Sequence, residues 1–190
     1  MFPRRRAVIL IFALSILVCY AQQPTSRTVK DAVDSTISGV ELREPQKTTL
    51  TRDRPSKFLT RDGDRFVQYY NATGRQMLTL IATADSDTAD FRSYQLSRID
   101  KPFMIDTTVL KEVSAFTTGK GIRLGMTQKE VVGRLGSPLR KEKNDVGALV
   151  LTYAADYPLG SGDQQQKGHL YTGRYSFARG RLIDILVSID

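Results

Sequence analysis

GMTQKEVVGRLGSP, at residues 125–138, carries three signals for one short helix. Thr127 is an N-cap residue, and Glu130 stands three positions later, where its carboxylate can accept a hydrogen bond from the Thr127 amide. Apolar residues occupy the two staple positions of this capping motif. Gly136 and Pro138 then supply the usual stop signals. The residues of the predicted structural motif are Gly125, Met126, Thr127, Glu130, Gly136 and Pro138.

Three apolar stretches follow this helix and predict a three-stranded antiparallel sheet. They cover residues 148–154, 170–177 and 182–189, and a turn at 178–180 joins the last two. In the last stretch every second residue from position 183 to 189 is Ile or Val. Such an alternation is typical of a strand with one strongly buried face.

Three further apolar stretches precede the helix, and turn signals separate them. Residues 66–70, 76–83 and 91–99 predict an antiparallel meander, with a hairpin loop at 71–74 in which Gly74 supplies a positive φ. We therefore expect an α+β fold, with short helices packed on one or more antiparallel sheets. Whether the two halves share a sheet stays open.

We expect one α+β domain over residues 57–190, with the meander at 57–99 and the helix and three-stranded sheet at 107–190. Residues 22–56 are polar, Thr-rich and punctuated by proline, and they lack sustained apolar periodicity. They predict a largely unstructured arm, within which a short strand fits around residues 37–42.

Residues 1–21 resemble a removable secretory signal peptide. Three arginines at 4–6 precede twelve uncharged residues at 7–18, and Cys19-Tyr20-Ala21 follows with a small residue for cleavage after Ala21. A bilayer-spanning helix needs about 20 residues, so export is favoured over a membrane anchor. Cys19 also stands in a stretch that loosely resembles a lipoprotein signal, so lipidation at Cys19 is the alternative to soluble processing.

The composition argues against a catalytic or cofactor site. The chain has one histidine and one cysteine, so the usual zinc ligands are lacking, and no glycine-rich loop has phosphate-binding spacing. We expect no enzyme activity, no cofactor and no metal. Removal of the three signal arginines by cleavage lowers the formal charge from +8 to +5. The remaining basic excess predicts at most weak attraction to anionic membranes. We expect no nucleic acid partner for an exported chain.

A Gly-, Ser- and Gln-rich stretch at residues 156–168 is the candidate binding loop, since it is longer than ordinary hairpin connections. Tyrosines cluster beside it and are favoured contact residues, although packing into the core is the alternative explanation for them. The candidate partner-binding residues are Tyr153, Tyr157, Asp163, His169, Tyr171 and Tyr175. The competing hypothesis is a small-ligand site or hydrolase centred near His169.

Residues 121–138 resemble the motif of the small outer-membrane lipoprotein family SmpA/OmlA, which shares its architecture with the β-lactamase inhibitor proteins. Tyr153 and the hairpin at 177–189 occupy the places of the family's tyrosine-bearing strand and closing hairpin, so the similarity covers about the last 70 residues. It implies a non-enzymatic module that supports outer-membrane assembly or binds secreted proteins. We therefore expect an exported protein that is periplasmic or secreted, with association with the outer membrane as the alternative. Its expected partner is another envelope or secreted protein.

Overall fold

Strands dominate the part of the chain that the structure, a computed structural model, describes. The described residues are 32–53, 56–82, 90–100, 108–159 and 166–190. The strands are β1 (Thr36–Ile37), β2 (Val40–Glu41), β3 (Leu59–Arg61), β4 (Asp64–Asn71), β5 (Gln76–Ala82), β6 (Phe91–Arg98), β7 (Thr108–Leu110), β8 (Arg140–Lys143), β9 (Leu149–Leu159), β10 (Gln166–Ala178) and β11 (Arg181–Ile189). The helices are α1 (Leu50–Asp53) and α2 (Gln128–Leu135), and a 3-10 turn spans Pro45–Lys47. Mainly antiparallel strands with few short helices confirm the α+β class at the coarse level.

Nine of the described strands form one sheet in the order β3-β4-β5-β6-β11-β10-β9-β8, and β7 runs parallel to β4. The predicted meander is confirmed as β4, β5 and β6. It joins the second half where β6 pairs with β11, with Tyr94 opposite Val187, so both halves share a sheet. The predicted three strands after the helix correspond to β9, β10 and β11, but β8 adds a fourth. The prediction missed β8 because its charged residues lack apolar alternation.

One face of this sheet, the inner face, holds most of the core. Leu80, Tyr94 and Val187 lie side by side across three strands of it and are fully buried. A second layer covers this face and belongs to the same hydrophobic cluster: α2 contributes Val131 and Leu135. Burial of these aliphatic and aromatic side chains is the main stabilising contribution, at about 25 cal/mol per Å² of apolar surface.

The opposite, outer face of the sheet is mostly polar and partly exposed. Gln68, Gln95 and Arg174 lie along one row across it, and each is half-buried or exposed. In a neighbouring row, Asp184 accepts hydrogen bonds from Gln95 Nε2 at 3.1 Å and from Ser97 Oγ at 2.7 Å. Only the inner face is therefore a closed apolar interior.

Residues 32–53 correct the prediction of a largely unstructured arm over residues 22–56. Ile37 and Val40 pair across the β1–β2 hairpin, and together with Leu42 they are at most 1% exposed. All three belong to the main hydrophobic cluster. The sequence signal was weak because these apolar residues stand among polar ones without a regular period. Contacts with distant parts of the chain, rather than local periodicity, bury them.

Helix α2 confirms the predicted capping motif. Thr127 Oγ1 accepts a hydrogen bond from the Glu130 amide at 3.3 Å, and Glu130 Oε2 accepts one from the Thr127 amide at 2.7 Å. The hydrogen bonds that the Glu130 carboxylate accepts from the Thr127 amide and from the Thr127 hydroxyl are the main reason why the pKa of Glu130 is lowered. At the other end, Gly136 has φ +81°, a region that favours glycine. Val131 is fully buried beneath the helix, as its staple position predicts.

A β-bulge corrects the predicted buried face of the last strand. Ser176 pairs with Asp184, but the next residue, Phe177, pairs with Leu182, so Ile183 is an extra residue on β11. The bulge turns Leu182 inward, where it is 1% exposed, and leaves Ile183 only half-buried. The other three residues of the predicted face are fully buried, as expected.

Candidate partner-contact site

Strands β9 and β10 extend past their neighbour β11. Leu170 and Asp190 exchange main-chain hydrogen bonds of 3.1 and 3.2 Å at the end of β11. Beyond this point the described residues of β9 and β10 pair only with each other. We call residues 156–159 and 166–170 the hairpin end. The prediction of a structureless loop at 156–168 is therefore corrected at its two ends, because strand pairing continues to Leu159 and resumes at Gln166; residues 160–165 lie outside the described residues.

Tyr157 and His169 lie directly opposite each other on the hairpin end. Both side chains are half-buried. The Tyr157 hydroxyl lies 3.5 Å from Ser35 Oγ, so this side chain contacts the segment at residues 32–53. His169 Nδ1 lies 2.8 Å from the main-chain oxygen of Asp190. The structure thus brings together two of the predicted contact residues at the margin of the core.

The remaining residues of the hairpin end are open to solvent where their side chains are described. Leu170 is 46% exposed, and Asp156 opposite it is exposed too. A register shift separates Gln166 from His169, and Gly168 within it has φ +125°. Bulges of this kind re-aim neighbouring side chains. The hairpin end therefore combines one exposed aliphatic side chain with polar neighbours.

Three other predicted contact residues belong to the core instead. Tyr153, Tyr171 and Tyr175 are at most 1% exposed and point into the inner face. They cannot contact a partner in this fold, so the prediction of a contact role is corrected for them. Their part of the hairpin is closed for two reasons. Strand β11 pairs beside β10 within the sheet, and the second layer, which includes α2, covers the inner face. Packing into the core is the alternative explanation that the sequence left open for these three tyrosines.

The buried tyrosines pack against each other as a cluster. The rings of Tyr153 and Tyr175 meet edge to face with their centroids 5.6 Å apart. The hydroxyls of Tyr171 and Tyr175 lie 3.5 Å apart, and Tyr153 donates to the Gly136 main-chain oxygen at 3.1 Å. Burial raises the pKa of Tyr153 to about 12 and raises the pKa of Tyr171 and Tyr175 further. Their phenols are therefore neutral at physiological pH.

Gly173 makes this cluster possible, and sequence reasoning missed it. It lies between Tyr171 and Tyr175 on the same strand face, two residues from each. A Cβ atom at Gly173 would lie 2.6 Å from the Tyr171 hydroxyl oxygen and 3.1 Å from Tyr175 Cε2. The Tyr-x-Gly-x-Tyr spacing was visible in the sequence, because residues two apart on a strand share a face.

Asp34 is the second feature that sequence reasoning missed. It is only 2% exposed, and it lies against the tyrosine cluster, since its main-chain oxygen accepts a 2.9 Å hydrogen bond from Tyr94. Its Oδ1 accepts from the Lys120 amide at 3.0 Å, whereas Oδ2 has no hydrogen-bond partner among the described residues. Desolvation is the largest influence on the Asp34 carboxyl and raises its pKa, although the Thr118 side chain and the Lys120 amide oppose the shift.

The competing hypothesis put a small-ligand site or hydrolase near His169. In the described part of the chain, Nδ1 of its ring lies 2.8 Å from the main-chain oxygen of Asp190 and not beside a side-chain carboxylate. The described residues also contain no group of three or more side chains suited to hold a metal ion. Asp163, one of the predicted partner-binding residues, lies outside the described residues, as do Cys19 and the predicted signal peptide.

Comparison of the chain with family models, with curated proteins and with solved structures found no match. The similarity of residues 121–138 to the SmpA/OmlA family therefore stays a prediction. In the described part of the chain, no helix is long and apolar enough to cross a membrane.

Proposed function

We propose that this chain is an exported, non-enzymatic binding or scaffolding module of the cell envelope, which contacts another envelope or secreted protein. The observation that supports this proposal most is the hairpin end. A two-stranded ribbon has little stability of its own, and here it carries Leu170, which is 46% exposed. Leu170 is one of three large apolar side chains in the described chain that are exposed, with Leu139 and Val146, and it is the one that lies beside Tyr157 and His169. A protein partner would bury it.

The chemistry of the hairpin end suits a protein partner. Tyr157 and His169 each combine an apolar ring with a polar atom, and tyrosine is enriched where proteins meet. Asp156 and Leu170 extend this surface with a charge and an aliphatic side chain. A small apolar centre with a polar rim is the usual composition of a protein interface.

The family resemblance supports the same proposal. We infer that α2 and strands β9 to β11 correspond to the helix and sheet of the SmpA/OmlA architecture, whose members are non-enzymatic. The module would reach the periplasm or the medium through the signal peptide at residues 1–21. Contact with a membrane would come from lipidation at Cys19 or from the basic excess of the mature chain, and we expect no nucleic acid partner.

Site-directed photocrosslinking in the native envelope tests this proposal. A photoreactive amino acid replaces Leu170 in one version of the chain and Val146 in another; Val146 is 86% exposed in the turn after β8 and is the matched control. We expect Leu170 to yield one near-stoichiometric protein adduct that mass spectrometry identifies, and Val146 to yield none.

A charge substitution gives the second arm of the experiment. We expect Leu170→Asp to lower capture of the adduct protein by tenfold or more, and Tyr157→Ala to lower it several-fold. Far-ultraviolet circular dichroism should show that both variants remain folded, since both residues lie at the margin of the core. Equal capture by Leu170→Asp and the unmodified chain would overturn the assignment to the hairpin end. A protein adduct at neither position would count against a protein-binding function.

A further inference from the structure

Strand β8 forms one end of the nine-stranded sheet, and no described strand pairs with its outer edge. Its register with β9 places Arg140 opposite Thr152 and Glu142 opposite Val150. The Asn144 amide donates to the Ala148 oxygen at 2.9 Å, which places the even-numbered residues in the hydrogen-bonded pairs. The main-chain N–H and C=O groups of Lys141 and Lys143 consequently point away from β9 and are available to another strand.

The side chains on this edge are strongly cationic. Arg140, Lys141 and Lys143 are all exposed. The acid between them, Glu142, lies 2.8 Å from an Arg140 nitrogen in an ion pair. This acid is on the opposite face of the strand from both lysines, because successive side chains of a strand alternate between its faces. A partner strand placed beside the two lysines would therefore meet two positive charges.

A second copy of this chain is a poor occupant of the edge. Because the odd-numbered residues point outward, antiparallel pairing of two β8 strands would place odd residues opposite odd ones. A register centred on Lys141 would place that lysine opposite itself, and one centred on Glu142 would place Lys141 opposite Lys143 on both sides. Like charges directly opposite each other destabilise a sheet, and lysine on an edge strand is a common protection against such association. The same charges favour a strand that carries carboxylates.

An apolar contact lies next to these charges. Leu139 immediately precedes β8 and is 74% exposed. Its own amide donates to the Thr152 oxygen at 2.9 Å, which holds it in line with the edge strand. A partner strand that ran along Lys141 and Lys143 would pass close to Leu139, which stands two residues before Lys141 in the chain.

We infer that the β8 edge binds an extended acidic segment of another protein by strand addition. Main-chain hydrogen bonds to Lys141 and Lys143 supply the pairing, glutamate or aspartate side chains meet the two lysines, and an apolar residue covers Leu139. This surface lies on a different part of the sheet from the hairpin end, at the opposite side of β9 from β10. It therefore does not depend on the contact proposed for Leu170.

The test uses a capped octapeptide of alternating glutamate and valine as the probe, and an alternating lysine and valine octapeptide as its comparator. Binding to the purified protein is followed by nuclear magnetic resonance at low ionic strength. We expect the acidic peptide to shift the amide signals of Lys141 and Lys143 with saturation, and the basic peptide to shift neither.

Two variants separate the contributions of charge and main chain. Lys141→Glu combined with Lys143→Glu should weaken the acidic peptide by at least tenfold, whereas Lys111→Glu combined with Lys129→Glu, which changes the same net charge at exposed positions elsewhere, should weaken it less than threefold. Lys141→Pro removes one outward N–H together with the charge, so it should weaken binding several-fold more than Lys141→Gln, which removes the charge alone. The fold should persist, since proline is tolerated on an edge strand.

The proposal is overturned if both peptides bind equally, if the control pair weakens binding as much as the edge pair, or if the shifted amides lie away from β8. It is also overturned if analytical ultracentrifugation shows a dimer that Lys141→Glu with Lys143→Glu abolishes, since the occupant would then be a second copy.

Discussion

The two parts of the β9–β10 hairpin carry the same kinds of side chain on the same face, but their surroundings differ. Tyr153 and Tyr157 lie four residues apart on β9, so both point to the inner-face side. Tyr153 is 1% exposed, whereas Tyr157 is only half-buried. Tyr153 lies where β10 is also paired with β11, whereas Tyr157 lies where the described residues of β9 and β10 pair only with each other. Position along the hairpin, rather than residue type or period, separates core from surface here.

The same comparison holds for chemistry. Burial raises the pKa of the cluster tyrosines, and one carboxylate oxygen of Asp34 beside them has no hydrogen-bond partner within the described ranges. At the hairpin end, by contrast, Tyr157 and His169 are partly open to solvent and their polar atoms reach neighbouring oxygens. One half of the hairpin therefore contributes to stability, and the other is the part proposed to contact a partner. The substitutions below separate these roles.

The largest effect is expected for Tyr175→Ala. This side chain is fully buried and packs edge to face with Tyr153, so its removal leaves a cavity as well as losing the transfer free energy. The free energy of unfolding should fall by about 3–5 kcal/mol, as measured by urea denaturation at neutral pH. A loss below about 1 kcal/mol would show that this part of the hairpin is not a closed core.

Gly173→Ala should have the next largest effect. The new Cβ would overlap the Tyr171 hydroxyl, so one ring must move, and the expected destabilisation is about 1–3 kcal/mol. Gly133→Ala is the matched control, because Gly133 lies in α2 with nothing within 4 Å of its added Cβ. Helix propensity predicts that the control gains up to about 1 kcal/mol. If both variants shifted in the same direction, the close packing around Gly173 would be disproved.

Asp34→Asn should change how stability depends on pH. Because the pKa of Asp34 is raised in the folded protein, the native state holds this proton more tightly than the unfolded chain does. The contribution of the protonated Asp34 carboxyl to the free energy of unfolding is present below about pH 4, and it is lost as the pH rises through the raised pKa of Asp34. The amide introduced by this substitution cannot ionise. At pH 7 the free energy of unfolding of the variant should therefore exceed that of the native protein by up to about 1 kcal/mol.

Urea denaturation of both proteins from pH 4 to pH 8 measures this difference. The free energy of unfolding of the variant minus that of the native protein should increase as the pH rises. A gap that stays constant over this range would mean that Asp34 titrates normally and is not desolvated by the tyrosine cluster.

Tyr157→Ala should have the smallest effect on stability. Its hydroxyl contact with Ser35 is long at 3.5 Å and its ring is only half-buried, so the free energy of unfolding should fall by about 1 kcal/mol or less. Capture of the envelope partner should fall several-fold in the same variant. A stability loss as large as that of Tyr175→Ala would place Tyr157 in the core and remove the contrast between the two parts of the hairpin.

Local patterns in the sequence determined several elements of this fold. The Thr127 and Glu130 pair specified the start of α2, since a capping box depends only on residues three apart. Gly74, with φ +65°, lies in the predicted hairpin loop between β4 and β5. Apolar alternation specified the strands of the β4–β6 meander and of the sheet formed by β9, β10 and β11, because side chains on a strand change face at every residue.

Only the tertiary structure decided which of these faces and ends became core. The sequence did not reveal that Ile37, Val40 and Leu42 are buried, that Leu182 replaces Ile183 on the inner face, or that Tyr153, Tyr171 and Tyr175 are unavailable to a partner. The physical reason is the same in each case. Burial depends on which distant strand or loop covers a residue, and a one-residue bulge changes that cover without changing the local pattern.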